Sequence, residues 1–211
     1  MKSLLSLLLL LFYGMSVPGT QDDPYGMKQA LKNVQTISCA FQQEREVSVL
    51  TEKGISRGKL LYKKDIALLW QYDQPDKSGF LLKGNDITIL DRSGNPMTDQ
   101  RAGGLFRHIG KIILMGLTGD MLEESGEFRP EIISSGDFTK IILVPNQKEM
   151  KRLFTHMELF FRKEDYVIQT VVIYETSGDK TTVRFGDIRL NLPVDDKKFN
   201  DYVSGQPVQD R

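Results

Sequence analysis

The sequence predicts a mainly β fold of the α+β class, a large curved antiparallel sheet or barrel with helices against one face. Two series of short β-rich segments, each punctuated by turn residues, add up to roughly ten strands. Two or three helices accompany them, and one clear helical stretch interrupts the strands. At 211 residues, without internal repeats or a low-complexity linker, the chain suits a single domain, which typically holds ~100–200 residues.

Taken in order, Lys2, the apolar run Leu4–Tyr13 and the small residues Ser16 and Gly19 follow the pattern of a secretory signal peptide. The run is shorter than the ~20 apolar residues a membrane span needs. Cleavage after Gly19 is expected, so that 1–19 is the signal peptide and 20–211 one exported, soluble domain. No cysteine follows the leucine run, and no lipid anchor of the chain's own is expected. In QDDPYGMKQALKNVQTI, Asp23 is placed to cap a helix and Pro24 suits its first turn. Met27, Ala30, Leu31 and Val34 then fall at helical spacing.

The period changes from Phe41 onward. GISRGKLLY, IALLWQY, GFLLKG and DITILD read as a meander, with Gly84-Asn85 as a hairpin turn. AGGLFRHIGKIILMGLTGDMLEE interrupts it, where Leu105, Ile109, Ile112, Ile113 and Leu117 form a helical apolar stripe after Gly103-Gly104. Strands resume in GEFRPEII, DFTKIILVP, LFTHMELFF, YVIQTVVIYE and TTVRFGDIRL, the last two joined by the tight turn SGD. The tail VSGQPVQDR is polar and expected to be mobile.

Composition excludes several functions. Lysine plus arginine equals aspartate plus glutamate, 28 against 28, which argues against a nucleic-acid partner. The single Cys39 cannot form an internal disulfide and reads as a small buried residue. No G-x-S-x-G, H-E-x-x-H or C-x-x-C occurs, and His108 and His156 are too isolated for a zinc site. SGDKTT lacks the spacing of a phosphate loop, and Asp195-Asp196 reads as a solvated turn. No catalytic residue, metal ligand or cofactor site can be named, so the expectation is a protein that is not an enzyme.

The informative surface is apolar. If YKKDIALLWQYDQP is one unbroken strand, period two puts Tyr62, Lys64, Leu68, Trp70 and Tyr72 on a single face. A buried ammonium needs a partner, so Lys64 is expected at a strand end in water. Alternation does not distinguish a closed core from a ligand cavity on that face.

The order of these motifs resembles the periplasmic outer-membrane lipoprotein carrier family, LolA. A secretory leader is followed by a first helix ending in I-x-x-x-F-x-Q (Ile37, Phe41, Gln43), then G-x-L (Gly58, Leu60) and W-x-Y-x-x-P (Trp70, Tyr72, Pro75). The KGND hairpin, the inserted helix, L-x-P (Leu143, Pro145), the strand MELFF and a closing NLPVDDKKF, Asn191 to Phe199, complete the series. The resemblance implies an incomplete antiparallel β-barrel with helices forming a lid over an apolar cavity. It implies a monomeric periplasmic carrier that takes acylated lipoproteins from an inner-membrane ABC release complex and delivers them to an outer-membrane receptor, without a cofactor. A sensor or carrier of another lipid or acyl compound is the alternative, and a lipid esterase a weaker one.

By position, the family's lid-closing arginine, six residues before the tryptophan, is Lys64 here, and the cavity-lining aromatic two residues before it is Leu68. Lysine keeps the charge but loses the planar fork of donors. The candidate ligand-binding residues are Leu60, Tyr62, Leu68, Trp70 and Tyr72 with Ile109, Ile112 and Ile113 of the inserted helix. Met97, Met115 and Met121 are candidates for adaptable apolar surface. Glutamate at position 68 is expected to abolish apolar binding while leaving folding largely intact.

Overall fold

The computed structural model describes residues 24–97, 103–122, 126–200 and 202. The expected leader, Asp23 and the tail from Val203 lie outside them.

After helix α1 (Pro24–Lys32), five strands run as a meander: β1 (Thr36–Glu46), β2 (Gly54–Lys63), β3 (Ala67–Gln74), β4 (Gly79–Lys83) and β5 (Asp86–Leu90). Helix α2 (Gly103–Thr118) and a short 3-10 turn (Asp120–Leu122) precede a second series, β6 (Phe128–Ser135), β7 (Phe138–Pro145), β8 (Phe154–Arg162), β9 (Ile168–Glu175) and β10 (Lys180–Leu190). Two single-turn helices, α3 (Lys148–Lys151) and α4 (Lys197–Asn200), complete the set. The first and last strands pair, Phe41 opposite Phe185, which joins both meanders into one ten-stranded antiparallel sheet ordered β5-β4-β3-β2-β1-β10-β9-β8-β7-β6. β5 and β6 are its edges, so the sheet does not close into a barrel.

One core draws buried side chains from every strand, from Ile87 on β5 through Trp70, Phe41 and Val183 to Phe128 on β6. Only a strongly curved sheet brings the inward faces of both edges to the same cluster. α2 spans that concavity, and its glycines let it sit close. A Cβ on Gly110 would lie 3.1 Å from the Phe80 ring, and one on Gly116 3.2 Å from Leu159. The helix thus reaches from β4 to β8. It stops at Gly119, whose φ of +80° suits the left-handed position after a helix end and whose N–H donates to Met115 O at 3.0 Å. Gly116 therefore serves close packing; Met121 is fully buried in the core, Met115 is half-buried and Met97 exposed.

A second, smaller cluster covers the outer face of the first meander. Leu61, Leu69, Leu81 and Leu90 pack there under Phe199 of α4 and Tyr202.

Two expectations about local structure need correction. Strand β1 begins at Thr36 and not at Phe41, and Ile37, Phe41 and Gln43 stand on this strand and not at the end of a helix. α1 ends at Lys32, where the Val34 N–H closes back on Leu31 O at 3.1 Å. From there Ile37, Cys39 and Phe41 are buried at every second position, the strand period overriding the helical spacing of Val34. The strand through Lys64 is also not unbroken: the chain turns back there, with Asp65 at a φ of +60°. Its apolar face survives, because Tyr62 now lies opposite Leu68, Leu60 opposite Trp70 and Gly58 opposite Tyr72, and cross-strand partners share a face.

Cys39 packs in the core, and burial pushes its thiol up to about 12, against a lesser opposing pull from the Leu60 backbone. The thiolate is the reactive form. Alkylation of the folded protein at mildly alkaline pH is expected to be about 100-fold slower than that of the unfolded chain, measured by mass shift with and without denaturant. Because the folded thiol is raised, the neutral core thiol favours the folded state fully below the unfolded value of 9.0, and that contribution is lost as pH climbs toward about 12.

Candidate functional site

Between α2 and the sheet lies a cavity of about 340 Å³. Its floor is aromatic. Trp70 stacks on Phe41 with ring centres 3.9 Å apart, and Phe80 lies parallel at 6.5 Å. Tyr72 and Phe185 present their edges to it at 6.4 and 6.3 Å. These rings converge because Trp70 and Phe80 are cross-strand partners, as are Phe41 and Phe185. The far wall comes from alternate residues of β9 and β10, with Val171 opposite Val183 and Ile173 opposite Thr181. Ile112, Ile113, Gly116 and Leu117 of α2 form the roof.

One end of the cavity is polar. There the Tyr72 hydroxyl donates to Gln43 Oε1 at 2.8 Å, and burial pushes its phenol up against the pull of Trp70 and Gln43. Arg45 pairs with Glu175 at 3.4 Å and with Asp179 at 3.3 Å. The Asp179 carboxyl is held below the usual range, first by the Ser48 backbone N–H and then by the Arg45 guanidinium. Gln43, Arg45 and Glu175 all reach the cavity lining, because each continues the inward alternation of β1 or β9.

At the opposite end a wider hollow of about 600 Å³ lies between α1, the β2–β3 turn and the end of α2. Tyr62, Lys64, Leu68, Leu114 and Thr118 line it. Burial pushes the Tyr62 phenol up to about 12, with the charges of Asp65 and Asp120 adding to it. Lys64 is half-buried in the turn; its Nζ donates to Lys32 O at 3.2 Å and its backbone N–H to Gln35 O at 2.8 Å. An ammonium on the last carbonyls of a helix is well placed electrostatically, so Lys64 tethers the C-terminal end of α1 to the sheet.

The sequence-derived candidates therefore divide. Trp70, Tyr72, Ile112 and Ile113 line the main cavity. Tyr62, Leu68 and Lys64 line the second hollow, and Leu60 is packed in the core across from Trp70. The side chain of Ile109 lies outside those described. Leu68 is only 1% exposed, so a glutamate there would bury a charge in the folded protein. That substitution is expected to cost stability, contrary to the expectation from sequence. Phe41, Phe80, Phe185, Val171, Ile173, Arg45 and Glu175 were not among the candidates. Alternation along β1, Phe41-Gln43-Arg45, was the signal that could have found the first strand's contribution.

The described lining of the main cavity includes no serine, cysteine or histidine, and in the second hollow the Thr118 hydroxyl donates to Asp120 Oδ2 at 2.7 Å. Among the described residues, no group of three histidine, cysteine or acidic side chains is placed to hold a metal, and no helix is long and apolar enough to cross a membrane.

Comparison with known proteins places this architecture. Residues 32–201 match the family described as outer membrane lipoprotein carrier protein LolA. An outer-membrane lipoprotein carrier protein of Pseudomonas putida is 24% identical over 179 residues, 85% of this chain and 83% of that protein. One of Pseudoalteromonas translucida is 20% identical over 203 residues, 94% of this chain and 92% of its own. Among solved structures, an uncharacterized conserved protein from Thermus thermophilus superposes with a TM-score of 0.50 at 9% identity, over 86% of this chain and 95% of that one, a likeness of fold alone. The family match runs from the end of α1 through both meanders to α4 and covers all the strands that build the cavity; the chain belongs to the outer membrane lipoprotein carrier family.

Proposed function

We propose that this protein is a periplasmic carrier that takes the acyl chains of lipoproteins into the cavity beneath α2 and carries them from the inner to the outer membrane. The observation that carries this reading is the 340 Å³ space itself, walled by half-buried Val171, Ile173 and Ile113 facing an aromatic floor. Each methylene moved out of water contributes ~0.8 kcal/mol, so an acyl chain crosses an aqueous compartment only when shielded. The volume sits near the lower end of the ~300–1,000 Å³ usual for ligand sites. Several chains need more room, and α2 supplies it by moving away from the sheet as a lid. Loading from an inner-membrane ABC release complex, and delivery to an outer-membrane receptor if one is present, are part of this proposal, which the family match supports. The carrier needs no covalent step and no cofactor.

Native mass spectrometry of the protein isolated gently from the periplasm tests this reading, with acylated proteins expected in the bound fraction. Free lipid in their place would keep the cavity and change the cargo. A reproducibly empty protein that also fails to accept a synthetic diacylated peptide would overturn it.

Lys64 acts in this scheme through α1. Replacing it with methionine keeps most of the side-chain volume and removes the bond to Lys32 O. Amides of α1 are expected to exchange about 10-fold faster while those of β1 and β10 are unchanged, and cargo release should quicken. Unaltered α1 exchange would leave Lys64 as a lysine at a turn without a closing role.

A further inference from the structure

The β1–β2 turn, residues 47–53, presents two aliphatic side chains side by side, Val49 at 86% and Leu50 at 64% exposure. Ile55, the second residue of β2, flanks them and is also exposed. Exposed apolar residues scattered singly need no explanation, but this pair is concentrated at one tip and held in place. The Leu50 N–H donates to Val47 O at 2.9 Å. The Ser48 N–H donates to Asp179 Oδ1 at 2.9 Å and its hydroxyl to Ser177 O at 3.3 Å, which fastens the turn to the β9–β10 connection. Asp179 also accepts from Arg45, and Arg45 reaches Glu175. Both of those side chains line the main cavity. The apolar tip and the polar end of the cavity thus belong to one hydrogen-bonded network at one end of the molecule.

We propose that the Val49–Leu50 tip inserts into the surface of a lipid bilayer and sets the polar end of the cavity against it, so that acyl chains pass between cavity and membrane there. This rests on the acyl-carrier reading given above. Size and shape favour a bilayer as the occupant. A convex tip of two aliphatic side chains offers far less than the ~800 Å² per partner of a standard protein interface, whereas such side chains wedge readily among headgroups and upper acyl segments. Charge agrees with this. Lys53 and Lys180, the lysines nearest the turn, are matched by carboxylates, with Glu44 at 2.6 Å and Glu46 at 2.7 Å, so apolar insertion leads the contact and not headgroup charge. The tip has less apolar surface than one fatty acyl chain, which by itself anchors a protein only marginally and reversibly. The contact is therefore brief, as a carrier that must leave each membrane requires.

The test uses the exported chain with Leu50→Cys, labelled with an environment-sensitive fluorophore; Cys39 is buried and stays unlabelled. Asn85→Cys, in the exposed β4–β5 turn at the opposite end of the sheet, is the control. With vesicles of phosphatidylethanolamine and a minor component of phosphatidylglycerol, the label at position 50 is expected to shift to the blue and to be quenched by brominated lipid, and that at 85 to do neither. The double variant Val49→Ser with Leu50→Ser should hold a fluorescent diacylated peptide as well as the parent does, yet pass it to the vesicles about tenfold more slowly. No shift at 50, or equal shifts at both positions, overturns the proposal, as does unchanged transfer by the double variant. If the parent inserts its tip but does not bind the diacylated peptide, the acyl-carrier reading fails and the bilayer contact stands. Peptide binding without insertion has the opposite meaning.

Discussion

Replacing Val171 with glutamate is expected to abolish binding of a fatty-acyl probe, by about 100-fold or more, with little change in the unfolding midpoint. Val171 stands in the cavity wall between its partners Val183 and Leu159 and is half-buried. Water reaches that wall when the cavity is empty, so a carboxylate there keeps part of its hydration in the free protein. An entering acyl chain would strip it. The penalty for an unpaired desolvated charge is several kcal/mol, and each ~1.4 kcal/mol is tenfold in affinity. The neighbouring Val172 points to the other face, opposite Glu158 and Thr182, and Val172→Gln should bind as the parent does. Fluorescence titration with an apolar dye or a labelled fatty acid, beside thermal unfolding, reads both quantities. Undiminished binding in folded Val171→Glu would place the ligand elsewhere, with the hollow lined by Tyr62 and Leu68 the next site to probe.

Most of the fold was legible where local chemistry decides it. Gly84, at a φ of +59°, turns β4 into β5, and Gly178, at +90°, turns β9 into β10, both positions that the turn residues had marked. The pairing of β1 with β10 was not legible, since it joins segments well over a hundred residues apart and leaves no local pattern. The start of β1 was hidden because Val34 continues the helical spacing of Leu31, and only the alternation beyond it shows the change. Assignment of β3 to one buried face was incomplete for another reason. Ala67 to Gln71 are buried without interruption, since α4 and Tyr202 cover the outer side and build a second core around Leu69. The buried Gln71 amide is satisfied there by the Tyr202 hydroxyl, which donates to its Oε1 at 2.8 Å. The site suffered from the same limit. Its far wall comes from β9 and β10, which reach Trp70 only because the sheet curves, and curvature is a tertiary property that strand periodicity does not carry.

Truncating Phe41 to alanine is expected to destabilise the protein by about 3–5 kcal/mol, as for other buried aromatics, lowering the melting temperature by ~6–20 °C for a chain of this size. Phe41 is 3% exposed and lies against Trp70 at 3.9 Å and edge-on to Tyr72 at 5.4 Å. Its ring is what the tryptophan face touches. The fit requires a glycine on the next strand: a Cβ at Gly58 would come within 2.6 Å of the Phe41 ring and 2.2 Å of the Gln71 carbonyl oxygen. Gly58→Ala should therefore destabilise as well, and for a reason that separates it from a simple side-chain clash. Phe41→Ala relieves the first of those contacts and leaves the second, which is backbone, so combining the two substitutions should not restore stability. Recovery in the double variant, measured by denaturant unfolding, would show that the sheet can relax at its Arg57–Gly58 irregularity. Phe41 supports the cavity floor from below, and loss of its ring should spare acyl binding at temperatures where the variant is folded. Val171→Glu should do the reverse. That opposite pairing of stability and binding separates a core residue under the site from a residue that meets the ligand.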